Sequence, residues 1–437
     1  MAESLSHLRC LECGATFDTK KLRYECRCGG LLDLEHDLEA LRHAYGNLAD
    51  RFDQRRGDWW GQPTASGVWR YHELVLPELP VDQAVTLGEG NTGLYEGGEL
   101  GERLGLPLLY LKHEGENPTL SFKDRGMTAG VSWGRYLGAS LGVCASTGDT
   151  SAAVAAYTAR APGMRGVVLL PAGKVTDAQL AQAMVYGART LALDTDFDGC
   201  MKVVQELARS PEVYLLNSKN PFRIEGQKTI GLEAIHQLSW QAPDWFVLPV
   251  GNAGNMAALG KGLREALALG LIDRMPRVAG AQVEAANPFF QSYEQHFAER
   301  VQMVAQPTVA SAIRIGNPVS YPRARRVVEE TNGTVVSVSE GETLDAQALL
   351  GRCGVQACPN SGVALAGLTR LVQQGVIKPS DRVVVILTAH GAKFSTTSLR
   401  YHRGEIEGVA GEWANPPQPL PARTEEVARA LGISTPR

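Results

Sequence analysis

Short apolar runs alternate with longer alanine-rich stretches along the middle of the chain. The runs are Leu108-Leu109-Tyr110-Leu111, Gly166-Val167-Val168-Leu169-Leu170, Phe246-Val247-Leu248-Pro249-Val250 and Val383-Val384-Val385-Ile386-Leu387. Glycine, proline or polar residues bound each of them. Continuous apolar strands separated by helices predict parallel sheets covered on both faces, an α/β fold, from about residue 86 to 395. Both ends differ. Residues 36–85 are charged and aromatic, with Asp58-Trp59-Trp60-Gly61 and Gly67-Val68-Trp69-Arg70-Tyr71, and read as a connecting arm laid on the main body. The segment 401–437 reads as a peripheral tail: beyond Gly408 it is broken by Pro416, Pro417, Pro419 and Pro421, and a short amphipathic stretch follows at 425–431.

Residues 1–35 form a head with its own chemistry. Cys10-Leu11-Glu12-Cys13-Gly14 is one knuckle, and Cys26-Arg27-Cys28-Gly29-Gly30 is a tighter one. The intervening residues suffice for a hairpin that returns the second pair to the first. Four thiolates on two turns suit a closed, structural zinc site held by Cys10, Cys13, Cys26 and Cys28. The alternative is four unrelated thiols or a labile redox pair.

At 437 residues the chain can hold two or three domains. Its 43 basic and 47 acidic side chains leave a net charge of -4, so nothing draws it broadly to nucleic acid or an anionic membrane. Any anion site must therefore be local. The first residues lack the basic start and apolar core of a signal peptide, and no apolar stretch is long enough to span a bilayer. Cys144, Cys200, Cys353 and Cys358 are scattered and read as buried thiols, which points to a reducing cytoplasm.

Three turns carry candidate chemistry. Ala145-Ser146-Thr147-Gly148-Asp149-Thr150 follows one predicted strand and opens a helix. Free backbone N–H groups and the helix dipole make such a start attractive to anions. Gly251-Asn252-Ala253-Gly254-Asn255 follows a second strand, and its glycines let the backbone wrap an anion as a nest. Thr388-Ala389-His390-Gly391 follows a third. Taken singly, each reads first as a capped strand–helix junction, and none has the spacing of a nucleoside triphosphate or dinucleotide loop. Lys123, in Ser121-Phe122-Lys123-Asp124-Arg125-Gly126, stands beside an aromatic and after an apolar strand, where desolvation favours a neutral amine able to form a Schiff base. The competing reading pairs it with Asp124, Glu114 or Glu116.

Together these residues resemble the threonine synthases, fold-type II pyridoxal-phosphate (PLP) enzymes. The match runs from about Gly67 to Lys393. It includes Leu87-Gly88-Glu89-Gly90-Asn91-Thr92, the Lys123 run, Ala145-Ser146-Thr147-Gly148, Asn217-Ser218-Lys219-Asn220-Pro221-Phe222-Arg223, the 251–255 turn and Ala312-Ile313-Arg314-Ile315-Gly316-Asn317-Pro318. The resemblance implies a tryptophan synthase β-like architecture of two parallel-sheet α/β domains with the cofactor between them. The large PLP-binding domain would comprise 86–126 and 231–400, and the small substrate domain 127–230. It implies that Lys123 carries the cofactor and shuttles protons, while Gly251, Asn252, Ala253, Gly254 and Asn255 cradle its phosphate. Thr388 would face the ring nitrogen. Ser146, Thr147 and Thr150 would hold the substrate carboxylate, and Asn217, Ser218 and Arg223 the substrate phosphate.

Some positions depart from the family. Asp149 stands where many relatives place an asparagine facing the cofactor's phenolic oxygen, so it is expected to be protonated or turned away. Cys358 replaces an acidic residue and reads as a buried, inert thiol. Ala389, Ala392 and Phe394 replace glycine, leucine and aspartate. The activity implied is conversion of O-phospho-L-homoserine and water to L-threonine and phosphate by a homodimer, with a small phosphorylated amino acid as its partner. Rival readings are a paralogue doing β-replacement or elimination on another amino acid such as O-phosphoserine, and a binding protein without catalysis.

Overall fold

All four apolar runs become strands of parallel sheets, because each is buried between helices and can hide its backbone only in a ladder. The structure is a computed structural model that describes residues 4–146, 148–173 and 177–434. The chain opens with a small antiparallel head of β1 (Ser6–Cys10), β2 (Thr16–Phe17) and β3 (Leu32–His36), in the order β2-β1-β3. After the arm, β4 (Leu94–Glu96) and β5 (Leu109–His113) begin the larger sheet. The chain then leaves to build a second, all-parallel sheet from β6 (Leu141–Ala145), β7 (Arg165–Pro171), β8 (Arg189–Leu193) and β9 (Val213–Leu215), ordered β8-β7-β6-β9. It returns with β10 (Trp245–Pro249), β11 (Arg277–Val283), β12 (Thr334–Val338) and β13 (Val383–Leu387). The larger sheet reads β12-β11-β10-β13-β5-β4, with only β4 antiparallel.

Burial explains which runs were legible. All five residues of β13 are fully buried, each contributing roughly 1.5–3 kcal/mol of transfer free energy. The arm has no core of its own: Phe52, Trp69 and Tyr71 are fully buried in the cluster that also holds Met127 and Phe246. No helix among the described residues is long and apolar enough to cross a membrane.

Six helices matter for the site. They are α1 (Lys123–Tyr136), α2 (Asp149–Arg160), α3 (Phe222–Gln227), α4 (Gly254–Ala268), α5 (Tyr321–Glu330) and α6 (Pro359–Gln373). A fully buried ion cluster fixes α1. Arg125 donates to Glu114 (2.6 Å) and Glu233 (2.7 Å), and Lys112 on β5 donates to Glu233 (2.6 Å). Removing one partner would strand a buried charge at a cost of about 3–5 kcal/mol. Helix α3 packs on α1 so closely that a Cβ on Gly226 would overlap the carbonyl oxygen of Arg125. Gly226→Ala is therefore expected to cost roughly 3 kcal/mol, read as a lowered denaturation midpoint.

Candidate active site

The two sheets meet at a cavity lined by Lys123, Asp149, Ser218, Arg223, Gly251, Asn252, Ala253, Gly254, Asn255 and Thr388, with Phe122 and Asn360 among the other walls. It lies beyond the carboxyl ends of β6, β10 and β13, where parallel strands deliver loops from both sheets.

Lys123 opens α1, and its loop is tied to the larger sheet. Phe122 N donates to Thr388 O (3.0 Å), and Ser121 bridges Ala389. The three carboxylates that could have neutralised it are all engaged elsewhere. Asp124 accepts from the Thr119 N–H and hydroxyl (2.6 Å each), Glu114 binds Arg125, and Glu116 accepts from Gly93 N (2.6 Å) and the Tyr95 hydroxyl. The ammonium instead lies 4.3 Å from the centre of the Phe122 ring. Burial, reinforced by the charge of Arg223 and only partly offset by Asp149, pushes its pKa down to about 8. In ligand-free protein, amine-reagent labelling of Lys123 should show a midpoint of about 8, against about 10.4 for an exposed lysine. Arg223→Gln removes a repelling cation and should move that midpoint upward.

Arg223 is 2% exposed, and its Nε finds no acceptor among the described residues. Burial lowers its pKa to about 10, with only the Cys144 thiol acting in the other direction. A guanidinium desolvated without a carboxylate is a site prepared for an incoming anion. Ser218 lines the same wall. Asn217 does not line the cavity: its Oδ1 accepts from Ala145 N (3.0 Å) and its Nδ2 donates to Ala145 O (2.8 Å). One hydrogen bond at each end of the amide clips the end of β6, beside the anion wall.

The turn after β10 is a cradle. Ala253 adopts the left-handed conformation (φ 61°), which turns successive N–H groups inward at the start of α4. Among the described residues, no backbone carbonyl outside the helix takes up the N–H groups of 251–255. Gly251 admits no side chain, since a Cβ would lie 2.8 Å from Ile313 Cα. Asn255 Nδ2 and Asn360 Oδ1 are buried without partners among the described residues.

Asp149 has a cationic partner. It lines the cavity, and its Oδ1 lies 2.6 Å from Lys393 Nζ, which also donates to Thr119 O (3.0 Å). Sequence reasoning missed Lys393, although it ends the matched Thr388 run, and missed Asn360 two residues after Cys358. The Cys358 thiol is fully buried behind the cavity, against the hydroxyls of Ser361 (3.3 Å) and Thr388 (3.8 Å). Ser146 and Thr150 stand outside the lining; Ser146 Oγ accepts from Gly148 N (3.3 Å). Thr147 lies outside the described residues.

In the head, the sulfurs of Cys10, Cys13, Cys26 and Cys28 all lie within 4.8 Å of one another. The Cys10–Cys28 and Cys13–Cys26 separations are 3.5 and 3.6 Å.

Residues 85–389 match the family described as pyridoxal-phosphate dependent enzymes. A threonine synthase of Methanocaldococcus jannaschii is 42% identical, over 90% of this chain and 94% of its own. Threonine synthase 2, chloroplastic, of Arabidopsis thaliana is 42% identical over 95% of this chain and 82% of its own. Among solved structures, threonine synthase from Escherichia coli superposes with a TM-score of 0.66 at 19% identity, covering 98% of this chain and 99% of that one. Maize serine racemase gives a TM-score of 0.62 at 18% identity, covering 78% and 100%. These two distant structures share the fold.

Proposed function

Since this chain belongs to the pyridoxal-phosphate dependent enzymes, among the threonine synthases, we propose that it converts O-phospho-L-homoserine and water to L-threonine and phosphate. The observation that carries the substrate reading is Arg223: a buried guanidinium without a carboxylate partner among the described residues, sharing a cavity with a lysine whose pKa burial lowers to about 8.

The residues present fit the cofactor. The 251–255 cradle offers unclaimed N–H groups to its phosphate, Lys123 offers an amine that loses its proton easily, and Thr388 offers a hydroxyl rather than a carboxylate toward the ring nitrogen. Pyridoxal phosphate, when bound, supplies an electron sink for the amino-bearing carbon of the substrate. The chain supplies the rest. Lys123 Nζ takes and returns protons on the substrate's carbon atoms, which a pKa of about 8 suits. Arg223, with Ser218, holds the substrate phosphate and stabilises the charge that grows on it as it leaves. Asn217 fixes the loop at the end of β6 that borders this wall. Lys393 keeps Asp149 matched in charge, so the carboxylate does not repel an anionic ligand.

The deciding experiment offers the protein O-phosphohomoserine and, separately, O-phosphoserine with added nucleophiles. Phosphate release and the amino acid formed are both measured. Threonine from phosphohomoserine is the expected product; phosphate released from phosphoserine alone would reverse the assignment.

The same proposal gives the head a structural zinc. Sulfurs 3.5 to 3.6 Å apart approach the spacing of about 3.8 Å that a tetrahedron of bonds near 2.3 Å requires. Cys13→Ser is expected to lose the metal, measured by mass spectrometry, and to lower the melting temperature.

A further inference from the structure

Strand β3 of the head grips three helices, of which α3 and α4 begin at the cavity and α5 abuts its cradle. Lys261 on α4 donates to the backbone carbonyl of Leu34, and α4 starts in the 251–255 cradle. Arg323 on α5 donates to Leu32 O and pairs with Asp33. Helix α5 follows Ser320, whose N–H donates to Asn252 O (3.0 Å) in the same cradle. The third grip is His36, whose Nε2 lies 3.0 Å from Glu225 Oε2 on α3, two residues beyond Arg223.

That spacing on a helix places the two side chains on opposed faces. Glu225 turns to the head while Arg223 turns to the cavity. The His36 and Glu225 side chains are both fully buried, and Lys228 (2.5 Å) and Lys261 also hold the carboxylate. Burial and the charge of Lys228 push the His36 pKa down, so the ring is neutral. Its Nε2–H then donates to Glu225 while Nδ1 accepts from the Ser6 hydroxyl (2.8 Å) on β1. Strand β1 ends at Cys10, which pairs with Leu32 of β3, so the cysteine cluster fixes the strand that makes all three grips.

We propose that His36 is a positioning residue for Arg223, acting through Glu225, and that the cysteine head thereby sets the affinity of the anion wall. This rests on the reading of Arg223 as the anion site.

The test measures binding of inorganic phosphate to the cofactor-loaded protein by calorimetry, beside cofactor absorbance and melting temperature. His36→Leu removes the donor and should weaken phosphate binding about tenfold through a displaced guanidinium, with cofactor content unchanged. His36→Gln keeps an N–H toward Glu225 and should recover most of the loss. Should His36→Leu fail to fold, Glu225→Gln weakens the same link and should lower phosphate affinity in the same direction. Unaltered phosphate affinity in a folded His36→Leu or Glu225→Gln protein overturns the proposal, as does a His36→Gln protein no better than His36→Leu. Arg223→Met separates the two ideas: if it binds phosphate as tightly as the parent, the anion-site reading fails, whereas loss there with no effect at His36 or Glu225 condemns only the coupling.

Discussion

Lys123→Ala is expected to lower turnover by about 10⁴-fold or more and to abolish the absorbance of a lysine-linked cofactor. The size follows from the absence of a substitute. Among the described residues, the other lysines near the site are already committed: Lys112 to Glu233, Lys228 to Glu225 and Glu265, Lys261 to Glu225, and Lys393 to Asp149. Each ammonium already has a carboxylate partner, which would have to be given up before the amine could turn to the substrate. Lys123 alone among the described lining residues is a lysine, and its pKa of about 8 leaves a usable neutral fraction. Lys123→Arg should be as inactive, because a guanidinium does not lose its proton. Stopped turnover with an intact fold, shown by an unchanged far-ultraviolet spectrum, is the measurement; a variant that still turned over would sink the assignment.

Arg223→Met should lower kcat/KM for the phosphorylated substrate roughly 10³-fold, about 4 kcal/mol of lost stabilisation. Two effects combine. The charge-assisted hydrogen bonds to the leaving group vanish, and the cation that depresses Lys123 is gone, so less of the lysine is neutral at a given pH. The second effect predicts a pH–rate profile displaced toward higher pH, which distinguishes loss of Arg223 from simple disruption of the wall. Arg223→Lys keeps the charge without the planar fork and should recover only part of the loss. Parent-like kinetics in Arg223→Met would place the phosphate elsewhere.

How much of this could be read beforehand varied with the physics. The strands at Val383-Val384-Val385-Ile386-Leu387 and Phe246-Val247-Leu248-Pro249 were legible because burial on both faces demands an unbroken apolar run. Strand β8, Arg189–Leu193, was not, because it lies at a sheet edge with its first residue exposed. The nest at 251–255 was legible from its glycines. The left-handed Ala253 within it was not, since alanine rarely adopts that conformation and only the surrounding packing holds it there.

By itself, then, the sequence determined the α/β class and the cysteine head, and singled out Lys123 and the 251–255 turn as candidates, all of which depend on local pattern or on runs long enough to be specific. Pairing it could not decide, because pairing joins residues far apart in the chain. Only the tertiary structure showed that Asp124, Glu114 and Glu116 are spent elsewhere, so that Asp149, itself paired with Lys393, only partly offsets the burial of Lys123. Likewise it showed Asn217 clipped to the end of β6, gave Asp149 its partner in Lys393, and set the head strand against the helix that carries Arg223. Charge in a buried site is a property of everything within a few ångströms, and proximity of that kind exists only once the chain has folded.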